Sequence, residues 1–193
     1  MIQPRNVASG LVAAGLCAGA MWLWQLRPGF QTGVLDPLRT HGRIGEVVRN
    51  DTFSVRVDRY DVGGSVTKKF GSNSAHRTDG VFLFVHLRAM AETEPYNMGH
   101  ARLETRDGLV YREGGRVGIL TDSSETYEPM LWSTGTLLFE LPKDRLAGAR
   151  VIVGVRDALN QLSAESVIDL GIDDAKAAQL TGRRPLPNIE LGD

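Results

Sequence analysis

Residues 52–60 read Thr-Phe-Ser-Val-Arg-Val-Asp-Arg-Tyr, and residues 81–87 read Val-Phe-Leu-Phe-Val-His-Leu. In the first run Phe53, Val55 and Val57 alternate with Ser54, Arg56 and Asp58. That two-residue period belongs to a strand with one face in a core and one in water. The second run is apolar on both faces as far as His86, the pattern of a central strand covered on each side. These two runs set the fold class, and the rest of the chain is read outward from them.

Further short runs follow at turn-sized intervals. Ala101 to Thr105 and Leu109 to Tyr111 are joined through Arg106-Asp107-Gly108, where an Asp-Gly pair supplies the positive φ of a tight hairpin. Val117 to Leu120, Thr136 to Leu141, Arg150 to Val155 and Val167 to Leu170 complete a set of seven or eight strands, which predicts an all-β antiparallel sandwich. Helical composition is confined to Asp173 to Leu180, with acidic residues in its first turn and Gly182 past its end. The stretch from Arg183 to Asp193 reads as extended. Between the two deciding runs, Asp61 to Asp79 is rich in Gly and Ser and is expected to be a long loop. It carries Lys68, Lys69, His76 and Arg77, a candidate binding loop if it is not simply a solvated insertion.

Before the strands, Val7 to Leu26 are 20 consecutive residues without a charge, enough at about 1.5 Å per residue to cross a hydrocarbon core of about 30 Å. Trp22 and Trp24, next to Arg27, stand where an interfacial aromatic belt belongs. A retained signal-anchor helix is expected, in contact with membrane lipid. A signal peptide cleaved after Ala20 is the alternative, since Ala18-Gly19-Ala20 is a small-residue cleavage pattern. Lipidation at Cys17 is disfavoured by the bulky Leu16 before it. Gly15 and Gly19 form a GxxxG spacing, which lets another membrane helix approach closely. The expected organisation is therefore an anchor over 1–26, a linker over 27–43, a sandwich over 44–171, and a C-terminal helix and tail over 172–193.

Composition bounds the functional classes. Cys17 is the only cysteine of the 193 residues, and the part after the anchor carries 21 Lys plus Arg against 23 Asp plus Glu. That balance leaves no electrostatic footprint for nucleic acid. No GxSxG elbow, GxxxxGK[ST] loop, GxGxxG turn or HExxH pair occurs. His41, His76, His86 and His100 share no ligand spacing, and His86 reads as a hydrogen-bonded strand residue. The acidic pairs Asp58 with Asp61 and Asp173 with Asp174 lack the loop pattern of a calcium site and read as hydrated charges. Tyr96, Tyr111, Tyr127 and Trp132 fall in or near predicted turns, where aromatic residues either anchor a partner or pack beneath loops. No catalytic residue, metal or cofactor is expected.

The order of segments resembles the small immunoglobulin-like envelope domains of unknown function in Gram-positive bacteria, a group similar to secreted mycobacterial antigen sandwiches. The matching stretches are Ile44-Gly45-Glu46-Val47 before Phe53-Ser54-Val55-Arg56-Val57, and Asp79-Gly80-Val81-Phe82-Leu83-Phe84-Val85. They continue with Arg102-Leu103-Glu104 before Asp107-Gly108-Leu109-Val110-Tyr111, with Leu138-Phe139-Glu140-Leu141-Pro142 and with Val167-Ile168-Asp169-Leu170. The resemblance implies an immunoglobulin-like sandwich outside the membrane. The positive-inside rule would place it in the cytoplasm, because Arg27, Arg39 and Arg43 follow the apolar run and only Arg5 precedes it. That rule governs short loops better than whole domains, so the extracytoplasmic side of a single-pass membrane protein is expected. The expected function is a non-enzymatic binding or accessory protein of the cell envelope that contacts a partner membrane protein. A domain that binds a small molecule or an anionic wall polymer through the Lys68, Lys69, Arg77 loop is the alternative.

Overall fold

The structure, a computed structural model, describes residues 15–22, 37–68, 75–99, 101–114, 126–155, 163–182 and 186–191. The chain divides into two compact units, Met1–Asp36 and Pro37–Asp193. Of the first, residues 15–22 are helical and exposed. No helix among the described residues is long and apolar enough to cross a membrane, and most of the uncharged run over 7–26 lies outside them.

The second unit is a β-sandwich. Its strands are β1 (Leu38–Arg43), β2 (Val47–Arg49), β3 (Phe53–Lys68), β4 (His76–Ala91), β5 (Tyr96–Asn97), β6 (Arg102–Glu104), β7 (Val110–Arg112) and β8 (Thr126–Tyr127). They continue with β9 (Ser133–Leu141), β10 (Arg150–Gly154), β11 (Ala164–Asp169) and β12 (Asn188–Leu191), with helix α1 (Asp174–Thr181) before the last. One sheet runs β1-β11-β10-β6-β7 and the other β12-β3-β4-β9, with β2 also on β3 and a small β5-β8 ribbon apart. Inner residues of both sheets share one cluster that includes Phe53, Val55, Leu83, Val85, Leu103, Phe139, Val151 and Ile168. Burying a side chain of this size stabilises the fold by about 1.5–3 kcal/mol.

The deciding runs behave as read. Phe53, Val55 and Val57 are wholly buried, and β4 lies between β3 and β9. Its Val81, Leu83 and Val85 enter the inter-sheet core, while Phe82 and Phe84 join Val66 and Leu138 in a second cluster. A strand buried on both faces has no polar side to alternate. The Asp107-Gly108 hairpin also forms, with Gly108 at φ +80° and the Thr105 N–H donating to the Leu109 carbonyl at 2.9 Å.

Several boundaries move. Asp61–Asp79 is not one long loop, because β3 and β4 stay paired through Asp61↔Phe84 and Val62↔Leu83, and again at Ser65↔Arg77 and Val66↔His76. The glycines that suggested a loop serve close packing. A Cβ on Gly63 would stand 2.8 Å from the Pro187 carbonyl oxygen, and one on Gly64 would stand 2.8 Å from the Leu186 side chain. The register shifts between Gly63 and Ser65, as at a bulge. The expected linker over 27–43 also shortens. β1 occupies its last residues as an edge strand, parallel to β11, and its mostly exposed side chains leave no apolar period to read. The tail belongs to the fold too, since β12 pairs in parallel with β3 from Asn188↔Ser65 to Leu191↔Lys68. Helix α1 begins as expected, with the Asp173 carboxylate accepting the Lys176 N–H at 2.7 Å. Gly182 after it keeps φ at −76°, so it is not a left-handed cap. The predicted strand Val117 to Leu120 lies outside the described residues.

The two ends of the sandwich differ. Leu38 pairs with Ala164, and the Asn50 amide, just before β3, donates to the Ser166 hydroxyl at 3.2 Å. Phe53 pairs with Ala91, and Ala91 bridges Pro129 in the β8–β9 turn. The first residue of β1 and the β8–β9 turn therefore share one end. At the other end β9 finishes at Leu141↔Val81, and the β3–β4 hairpin projects beyond it.

Candidate functional site

The outer face of the β1-β11-β10-β6-β7 sheet carries an array of paired charges. Strand alternation turns Leu103, Val151, Val153 and Ile168 inward, so their neighbours Arg102, Arg150, Ile152, Glu165, Val167 and Asp169 face outward. Parallel pairing adds Arg39, His41 and Arg43 from β1, and antiparallel pairing adds Arg112 opposite Arg102. The register lays these residues in rows across the strands. One row reads Arg43, Asp169, Arg150, Glu104, an alternation of sign in which each opposite pair is favourable. The next reads His41, Val167, Ile152, Arg102, Arg112, with Val167 and Ile152 buried in its middle.

Glu165 organises the third row. Its side chain is 2 % exposed, and it takes Arg39 Nε at 3.2 Å on one oxygen and Arg102 on the other. Gly154 stands opposite Glu165, where an added Cβ would approach the glutamate Cγ to 3.3 Å. The glycine thus makes room for the carboxylate to lie along the sheet. The carboxylate ties down both guanidinium groups. Each guanidinium has five N–H donors in a planar fork, so neither is saturated by its bond to Glu165. Arg150 reaches Glu104 at 3.4 Å. A hollow of about 450 Å³ lies beside them, lined by His41, Gly42, Arg43, Glu46, Arg150, Val167 and Asp169. Rigid, donor-rich and shallow, this face suits carboxylates or other planar anions on a partner surface.

The structure places the sequence candidates as follows. Gly15, Gly19 and Trp22 lie in the exposed helical stretch 15–22, with open space around both glycines. Trp24, Arg27 and Lys69 are outside the described residues. Lys68 ends β3, and His76 and Arg77 begin β4, so the three backbone positions lie at the same end of this strand pair, with His76 and Arg77 exposed. His86 is hydrogen-bonded as expected, through Nδ1 to the Thr136 hydroxyl at 3.1 Å and through Nε2 to Asp61 at 2.9 Å. Tyr96 and Tyr127 stack with ring centres 5.3 Å apart and are buried. Burial pushes the Tyr96 hydroxyl far above its ordinary pKa, with the neighbouring Tyr127 adding to the effect. No cluster of metal-ligating side chains occurs among the described residues.

One feature escaped the sequence, and a second was read only at Trp132. The Arg39–Glu165–Arg102 tie joins residues 126 and 63 positions apart, and no local pattern announces it. The second is the β8–β9 turn, where Met130, Leu131 and Trp132 are 90 %, 58 % and 40 % exposed and Met130 holds φ at +61°. Three consecutive large apolar residues there were a visible signal, since a turn has no core to receive them.

No family model matches the chain, and no curated protein matches it. Solved structures do. The yjhA protein from Bacillus subtilis is 16 % identical, with 67 % of this chain and 99 % of that one covered at a TM-score of 0.50. The secreted protein MPT63 from Mycobacterium tuberculosis is 14 % identical, with 69 % and 97 % covered at 0.47. An uncharacterized β-sandwich protein from Clostridium difficile is 13 % identical, with 69 % and 95 % covered at 0.43. At these identities the likeness concerns the fold alone, and it is to β-sandwich proteins.

Proposed function

We propose that this protein is a non-enzymatic, membrane-anchored accessory module of the bacterial cell envelope. In this reading residues 7–26 cross the bilayer once, and an immunoglobulin-like sandwich stands on the extracytoplasmic side. The outer face of the β1-β11-β10-β6-β7 sheet then contacts an acidic surface of a partner membrane protein. The observation that carries the reading is the buried Glu165, which pairs with both Arg39 and the partly exposed Arg102. Arginine anchors of this kind are enriched at protein interfaces, and pre-set side chains lose little freedom on binding.

The test is recovery of the partner from native membranes in mild detergent. Arg43→Glu plus Arg112→Glu reverses two exposed charges without touching the Glu165 tie, and is expected to lower recovery roughly tenfold. Undiminished recovery would remove the sheet face as the contact. Loss on Gly15→Ile plus Gly19→Ile instead would place the contact on the helix seam.

A second reading is favoured by strands β3 and β4, which carry Lys68, His76 and Arg77 at their end away from Leu38. There the protein binds an anionic wall polymer. Such binding weakens as salt rises, and an affinity unchanged by Lys68→Ala plus Lys69→Ala would sink it.

A further inference from the structure

The β8–β9 turn has an arrangement that neither reading uses. Met130 is the one non-glycine residue at positive φ among the described residues, a conformation that costs an L side chain free energy and persists only where its surroundings impose it. Here the imposed shape projects Met130 outward with Leu131 and Trp132 beside it, while the residues just before them are tied down. Ala91 donates its N–H to the Glu128 carbonyl, Pro129 bridges Ala91, and Tyr127 is buried against Tyr96. An apolar tip on a fixed base, with an aromatic ring at its edge, has the composition that partitions into a membrane interface.

Its position says which apolar phase it meets. Leu38 stands at the same end of the sandwich as this turn, and only residues 27–36 separate the uncharged run from Pro37. Covalent geometry limits ten residues to about 35 Å, so Leu38, at the same end of the sandwich as this turn, stays within that reach of the uncharged run. We propose that Met130, Leu131 and Trp132 dip into the outer lipid interface and form a second attachment beside the anchor. The inference rests on the anchored reading above. Glu94 and Glu128 are exposed beside the tip, so the fitting surface is zwitterionic.

The protein contains three tryptophans, Trp22, Trp24 and Trp132, which makes the contact directly readable. Full-length protein with Trp22→Phe and Trp24→Phe leaves Trp132 as the sole emitter. Reconstituted into phosphatidylcholine vesicles brominated high on the acyl chain, its emission is expected to shift to the blue and fall roughly twofold relative to unbrominated vesicles. Adding Met130→Asp and Leu131→Asp is expected to abolish the quenching while the protein still floats with the vesicles. Aspartate tolerates positive φ, so the turn keeps its shape. Protein that floats with unquenched Trp132 overturns the tip contact and leaves the anchor standing. Protein that does not float overturns both.

Discussion

Asp58 accepts two hydrogen bonds from Arg88, at 2.7 Å from Nε and 3.0 Å from Nη2, and lies 3.0 Å from Arg56 Nε. The Arg88 hydrogen bonds hold the Asp58 carboxyl below the usual carboxylate range, helped by the charges of Arg88 and Arg56 and opposed by its partial burial. A group whose pKa is depressed on folding stabilises the protein above its unfolded pKa, and that stabilisation is lost as pH falls through the folded value. Asp58→Asn is therefore expected to flatten the fall of the melting midpoint below about pH 4, as followed by circular dichroism at a series of acid pH values. Melting curves of variant and parent that shift in parallel would show that the pair contributes nothing. The pair was half legible in the sequence. The strand period put Asp58 on the wet face, but Arg88 became its partner only through the register Arg56↔Arg88. Glu165 was not legible at all, because a glutamate in Ala-Glu-Ser-Val looks solvated until two arginines from other strands arrive.

Strands β3 and β4 show at the scale of elements what patterning can and cannot carry. Their middles were readable because the core imposes either alternation or continuous apolarity there. Their far ends were not, because Gly63, Gly64 and Ser65 are the residues of a loop and equally those of a strand against which another backbone lies closely. What distinguishes the two is β12, which arrives from more than a hundred residues downstream. The edge strand β1 is mostly exposed and carries no core period, and β12 is only four residues long. Gly63→Ala puts a methyl group against the Pro187 carbonyl and Ile189, and is expected to unseat β12. Hydrogen exchange would register this as protection lost roughly tenfold or more at Ser65, Thr67 and Asn188–Leu191, with Val55 and Val57 unchanged. Protection retained along β12 would mean the close approach relaxes without cost to the pairing.

At the scale of the whole molecule, one end of the sandwich carries the apolar turn and the first residue of β1, and the other carries the basic hairpin. The sequence held both clusters in plain view, yet their separation to opposite ends follows from strand direction, which no single run of residues encodes. Each sheet of the sandwich takes an edge from near one terminus of the unit, β1 on β11 and β12 on β3, both in parallel. The parallel sense of β1 has a mechanical consequence. Consider a pull applied to Leu38, where β1 starts, along the axis of that strand. It drags β1 lengthwise past β11, so the rungs from Leu38↔Ala164 to Arg43↔Asp169 are loaded together, with the Arg39–Glu165 pair sharing the strain. A strand peeled from its edge yields one rung at a time, whereas a strand in shear yields only when all of them fail. Under such a load the domain is gripped as by a clamp.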